Sequence, residues 1–271
     1  MRKILLTGFA LALAACNDNA RPEDELPDNP VDPVDPTDPE DPPNPQETAR
    51  DYDELAAILS AHLRAEFSVQ LTGAAIVRNE AVLPEGFAIT GDDGVDALGT
   101  GTLNGLTINF GLHCNDGSAA HIRVPCDANA HHGHLKLNIS GTQTMGTISM
   151  NDFQRAVNWE IRDVNLGKAR FRGPDGTVLK SQVVTNSEPA DYVVMFEALY
   201  EQVRFLPDTT IPTFGTIDFK VNTQRTRNGD RRVFDSQAHL TYGASGVPTT
   251  LTFDGGQSYA LDLKTGEVIK Q

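Results

Sequence analysis

Cysteine is scarce, with three residues in a chain of 271; there is one tryptophan, and aromatic residues make up 7%. Three cysteines are too few for a disulfide-dense scaffold or a four-thiolate zinc module. Basic residues are also short: 22 Lys and Arg stand against 37 Asp and Glu, for a formal charge of −15. No basic patch offsets this balance, so nucleic acid is excluded as a partner. A membrane-crossing helix needs roughly 20 consecutive apolar residues. The apolar stretch at the N-terminus, Ile4 to Leu13, has ten, and as a helix it would span only about 15 Å. Catalytic signatures are missing as well. The chain contains no Ser-x-x-Lys, no His-Glu-x-x-His and no phosphate loop. Gly243-Ala244-Ser245-Gly246 is one residue short of a nucleophile elbow and lies in a Gly-rich turn. No catalytic residue or cofactor is assigned on this basis, and the chain reads as non-enzymatic.

What is present begins with an address. Arg2-Lys3, a short apolar segment and then small residues form a secretory signal. Its end, Leu13-Ala14-Ala15-Cys16, resembles the lipobox of bacterial lipoproteins. The resemblance covers the whole signal, because charge, apolar run, small residues and cysteine stand in the right order. It implies that residues 1–15 are removed and that Cys16 carries a thioether-linked diacylglycerol. The membrane is then a partner through that lipid, since two or three acyl chains hold a protein where one does so only reversibly. Residue 17 is Asn rather than the Asp that retains such proteins in the inner membrane of enterobacteria. By the same resemblance the expected location is the cell envelope, at the outer membrane.

Residues 16–47 read as the lipidated cysteine and a tether. Positions 17–47 hold nine of the sixteen prolines, and eleven acidic residues against Arg21. That composition cannot bury enough apolar surface to offset the entropy of ordering it. Asp32-Pro33, Asp35-Pro36, Asp38-Pro39 and Asp41-Pro42 repeat every three residues, the period of polyproline II. The aspartates line one edge and repel one another, which suits an extended spacer better than a calcium site, whose ligands converge from a tight turn.

Residues 48–271 read as one β-rich domain. Asp51 and Glu54 have capping-box spacing. Tyr52, Leu55, Leu59, Leu63 and then Phe67 form an apolar stripe at helical spacing, which predicts a helix over 51–66 with His62 on its flank. From Phe67 the period becomes two: Phe67, Val69, Leu71; Leu106 to Leu112; Leu135 to Ile139; Val157 to Ile161; Ile217 to Val221; then Leu251, Phe253, Tyr259 and Leu261. Alternation of wet and dry faces marks antiparallel sheet. Turns are expected at Asp175-Gly176, Asn228-Gly229, Asp254-Gly255-Gly256 and Thr265-Gly266. Residues 191–205 fit either helix or strand, and strand is preferred because both neighbours are strands. The fold class is therefore mainly β: an antiparallel sandwich or a curved half-barrel with one N-terminal helix packed on it.

Once Cys16 is lipidated, Cys114 and Cys126 are left in an oxidising compartment and read as a disulfide. Five of the seven histidines, His113, His121, His131, His132 and His134, lie within or beside that loop. No metal is assigned; His121, His132 and His134 are the candidate ligands if one binds. The inward register of Leu135, Leu137 and Ile139 places His132 and His134 toward water. Glu160 and Asp163 follow Trp159, a pattern seen at sugar sites, but Trp159 falls on the dry face with Val157 and Ile161, which favours core packing. Asp92-Asp93-Gly94-Val95-Asp96 has the composition of a turn. Three functions stay open: a displayed β domain for binding or structure, with an unknown envelope protein or ligand as partner; a half-barrel carrier of lipid or another apolar ligand; and a metal protein or hydrolase using the His-rich loop.

Overall fold

A computed structural model describes residues 45–271, except 117, 119–121, 128, 129, 131, 147, 167, 186, 187, 245 and 246, and the side chains of 165, 184 and 185. Cys16 and His121 lie outside the described residues. The chain is mainly β, and the first described element is its one described α-helix, α1, Pro45–Arg78. Proline at the start suits a helix because its missing N–H would have no partner there. Glu47 in the first turn and Arg78 in the last complement the helix dipole.

The helix is longer than expected at both ends. It starts inside the segment read as tether, and Phe67–Leu71, read as strand, is its continuation. The cause is burial all round. Leu55, Ala56, Ile58, Leu59, Ser60, Ala61, His62 and Leu63 are all buried, so the usual contrast between a wet and a dry face is weak. Phe67, Ala74 and Val77 then keep helical spacing, and the alternation of Phe67, Val69 and Leu71 is incidental.

The strands follow as β1 (Phe87–Asp92), β2 (Ala97–Leu103), β3 (Leu106–Asn115), β4 (Arg123–Val124), β5 (His132–Met145), β6 (Ile148–Arg162), β7 (Ala169–Thr185), β8 (Glu188–Phe205), β9 (Phe214–Arg227), β10 (Asp230–Thr241), β11 (Thr249–Phe253), β12 (Ser258–Asp262) and β13 (Glu267–Lys270). They form one open antiparallel sheet in sequence order, with only the short β4 off the path, paired to β3. This is a single sheet not closed into a barrel, which removes the sandwich and leaves the curved, helix-covered alternative. Residues 191–205 lie in β8, as preferred.

The turn signals are mostly correct. Asn228-Gly229 closes the β9–β10 hairpin between Arg227 and Asp230, with φ of 51° and 83°; two positive φ values are what the tightest hairpin turn demands. Asp175-Gly176 is the exception. It lies inside β7, paired with Ala198 and Glu197 of β8, because Asp175 is drawn inward by a buried arginine.

Every long strand turns one side chain set toward α1 and buries it. Trp159, Phe171, Leu179, Val194, Ile217, Leu240 and Leu251 are all fully covered on that inner face. The alternate set faces away. Side chains of α1 reach strands as far apart as β6 and β13, through Glu66–Arg155 and Asp53–Lys270, so the sheet curves about the helix.

Candidate functional site

Three constellations of polar side chains stand out among the described residues, two on the inner face and one on the outer. At the start of α1, Asp51 and Glu54 sit one turn apart. Asp51 pairs with Arg225 of β9 at 3.2 Å and Arg232 of β10 at 2.8 Å. Glu54 accepts hydrogen bonds from Arg227 at 2.5 Å and from the Tyr192 hydroxyl at 2.6 Å. Two turns further, His62, Glu66 and Gln70 share a helix face at four-residue intervals. Arg155 of β6 donates to both Asp175 oxygens, at 3.0 Å to Oδ1 and 2.6 Å to Oδ2, and lies 3.1 Å from Glu66. Tyr200 of β8 donates to Glu66 at 2.6 Å, and Gln70 does so at 2.7 Å.

Burial pushes the Glu66 carboxyl up, but the Arg155 charge, His62 and the Tyr200 hydrogen bond outweigh it and hold it below the usual range. Tyr200 is pushed far above the ordinary phenol range by burial and by the Glu66 and Asp175 charges, so it remains a donor. His62, Glu66 and Asp175 have metal-like spacing, but Arg155 already stands between the two carboxylates as their cation. His62, expected on the helix flank, is wholly enclosed against Phe153 and Phe196. These inner groups hold the helix in the sheet. The inward apolar side chains are covered by α1.

The outer face carries the His-rich site. Cys114 and Cys126 are bonded, with Cα atoms 5.2 Å apart. Cys114 is opposite Gly133 in the β3–β5 ladder. A Cβ at Gly133 would lie 2.6 Å from Val77 of α1 and 3.0 Å from the Cys114 sulfur. Glycine is thus what lets the end of the helix, the disulfide and β5 meet. The same crossed pairs put His113 opposite His134, Asn115 opposite His132, and Glu160 of β6 opposite His134.

The expectation that His132 and His134 point to water is half right. Both face away from α1, but His132 is only 6% exposed, with Asn115 Nδ2 at 2.8 Å from its Nε2, and His134 is half-buried. Neighbours of His132 come from β3 (Asn115), from β6 (Glu160) and from His134 of β5 itself. His132 Nε2 lies 3.7 Å from Glu160 Oε1, and Arg162 Nε donates to that oxygen at 2.7 Å. Burial, with the His113 and Arg162 charges, lowers the His134 pKa against the pull of Glu160. Burial raises Glu160, and Arg162, His132 and His134 more than reverse it. At neutral pH His134 is therefore a lone-pair imidazole beside the ionised Glu160 carboxylate. His113 Nδ1 donates to the Val95 carbonyl at 3.0 Å.

The sugar-site pattern at Trp159 and Glu160 separates: Trp159 is fully buried on the inner face, and Glu160 is on the other side of the sheet. Asp92 and Asp93 accept the backbone N–H groups of Gly94, Val95 and Asp96 at 2.7, 2.8 and 2.7 Å, which is turn chemistry. Asp96 pairs with Lys136 at 2.7 Å. Beside this corner an open groove of about 980 Å³ crosses β5 to β11, floored by Ala156, Pro174, Gly176 and Leu199 and flanked by Lys136, Glu197 and Lys220. Neither a protein-family model, nor a curated protein, nor a solved structure matches this chain.

Reducing Cys114–Cys126 should cost about 2–4 kcal/mol by releasing the unfolded chain without dismantling the sheet. Urea midpoints of oxidised and reduced protein measure it. Two thiols titrating in the native, unreduced protein would refute the bond.

Proposed function

We propose that this chain is an envelope lipoprotein, anchored by lipid on Cys16, whose β domain is a non-enzymatic module for binding or structure. The observation that carries the reading is the Leu13-Ala14-Ala15-Cys16 motif behind a short positive and apolar leader. The domain fits it in two ways. Its inner face is spent on holding α1, with the polar groups there consumed in buried ion pairs. Its outer face offers the groove, an apolar floor between charged flanks, for an envelope protein or ligand. Asn17, in place of Asp, favours the outer membrane by the same resemblance.

Labelling cells with a radioactive fatty acid tests the anchor. The wild-type chain should take label and partition into detergent, and Cys16→Ser should lose both. Equal label in the two proteins would overturn the assignment.

A further inference from the structure

We infer that His132, His134 and Glu160 form a binding site for one divalent transition-metal ion of the zinc or copper class on the outer face of the sheet. Each offers a ligand atom, and all three atoms lie within 4.8 Å of one another. A metal held at about 2.0–2.2 Å by imidazole and carboxylate has ligands roughly 3.3 Å apart in a tetrahedron. The 3.7 Å from His132 to Glu160 is near that edge, and closure needs side-chain rotation only. Two imidazoles and a carboxylate select zinc, copper or nickel over calcium or magnesium, which prefer oxygen.

The support is rigid. His132 and His134 are alternate residues of one strand, and Glu160 is the direct cross-strand neighbour of His134. The Asn115 amide nitrogen donates to His132 Nε2 at 2.8 Å, which places the lone pair on that atom, and a metal that takes the lone pair displaces the amide. Backbone held by the disulfide and by Val77 against Gly133 lies directly behind. Three protein ligands on an outward face leave a fourth position for water or a partner's side chain. In the metal-free protein Arg162 holds the Glu160 carboxylate. Its side chain is 42% exposed, so it can swing to solvent when a cation replaces it.

That competition separates this site from a chance cluster. Titration calorimetry of the chelator-treated, lipidated mature chain with zinc chloride should give one ion per chain. Glu160→Gln and His134→Ala should each weaken binding tenfold or more, and Arg162→Ala should tighten it severalfold. Cobalt should give visible absorption of tetrahedral intensity in the wild type, which Glu160→Gln removes. The melting curve of Glu160→Gln without metal should match the wild type, so that loss of binding is not loss of fold. No saturable zinc binding would overturn the site. Binding kept by Glu160→Gln but lost in His121→Ala or His131→Ala would place the metal elsewhere in the loop and overturn it equally.

Discussion

Arg155→Met should lower stability by about 3–5 kcal/mol, because it strips the cation from two carboxylates that have no access to water. Glu66, Asp175 and Arg155 are all completely buried, and a buried charge cannot be left without a partner at small cost. For a domain of this size the melting midpoint should fall by about 10 °C. Acidity should narrow the gap. In the native protein Glu66 is held below the usual carboxylate range, so its contribution is present above the unfolded pKa and is lost as pH falls through the folded one. In Arg155→Met the same carboxyl, buried without its cation, rises above its unfolded value. Its contribution is then intact below the unfolded pKa and is lost as pH climbs. The two stability curves should converge toward acid pH. Denaturant unfolding at a series of pH values reads this directly. A deficit under about 1 kcal/mol at neutral pH, the range of exposed pairs, would mean that water reaches the cluster.

Trp159→Ala should cost a similar amount, about 3–5 kcal/mol, through lost burial and the cavity left behind. The indole is fully enclosed, with Phe171 and Tyr200 edge-on at centroid distances of 5.2 and 5.6 Å. The Arg155 guanidinium stands 5.1 Å above the ring. Trp159→Phe should recover much of the loss, since the indole N–H has no hydrogen-bond partner among the described residues. Because Arg155 touches the ring, the double variant should be less destabilised than the sum of the two. Fluorescence at equilibrium in urea follows the phenylalanine-neutral wild type, and circular dichroism follows the variants. An alanine variant of wild-type stability would contradict a core role for this residue.

The strands were legible because period-two alternation needs only neighbouring residues, as Val157, Trp159 and Ile161 illustrate. The helix was legible where one stripe stood out, at Leu55, Leu59 and Leu63, and its extent was not, because a helix enclosed by sheet loses the contrast that marks its edges. Asp175 reads as a turn residue since its partners Arg155 and Tyr200 stand 20 and 25 positions away, on other strands. The interior ion pairs were illegible for the same reason: Glu54 and Arg227 are 173 positions apart. The His-rich segment was visible by composition, but Glu160 enters it only through the β5–β6 register. No local pattern carries that information.

The order of the strands has a consequence for how the molecule is made. Apart from the short β4, each strand lies beside its predecessor, so the sheet assembles from contacts that are short in sequence and quick to close. The helix is different. Its hydroxyl and ion partners include Tyr200, at 134 positions from Glu66, and Lys270, at 217 positions from Asp53. This first described element is thus satisfied only by residues made much later, and closing such spans costs more entropy than pairing neighbouring strands. Asp51, Glu54 and Glu66, set among its apolar residues, keep α1 soluble while it waits. A chain made N-terminus first reaches its native packing only when its C-terminal hairpin has arrived.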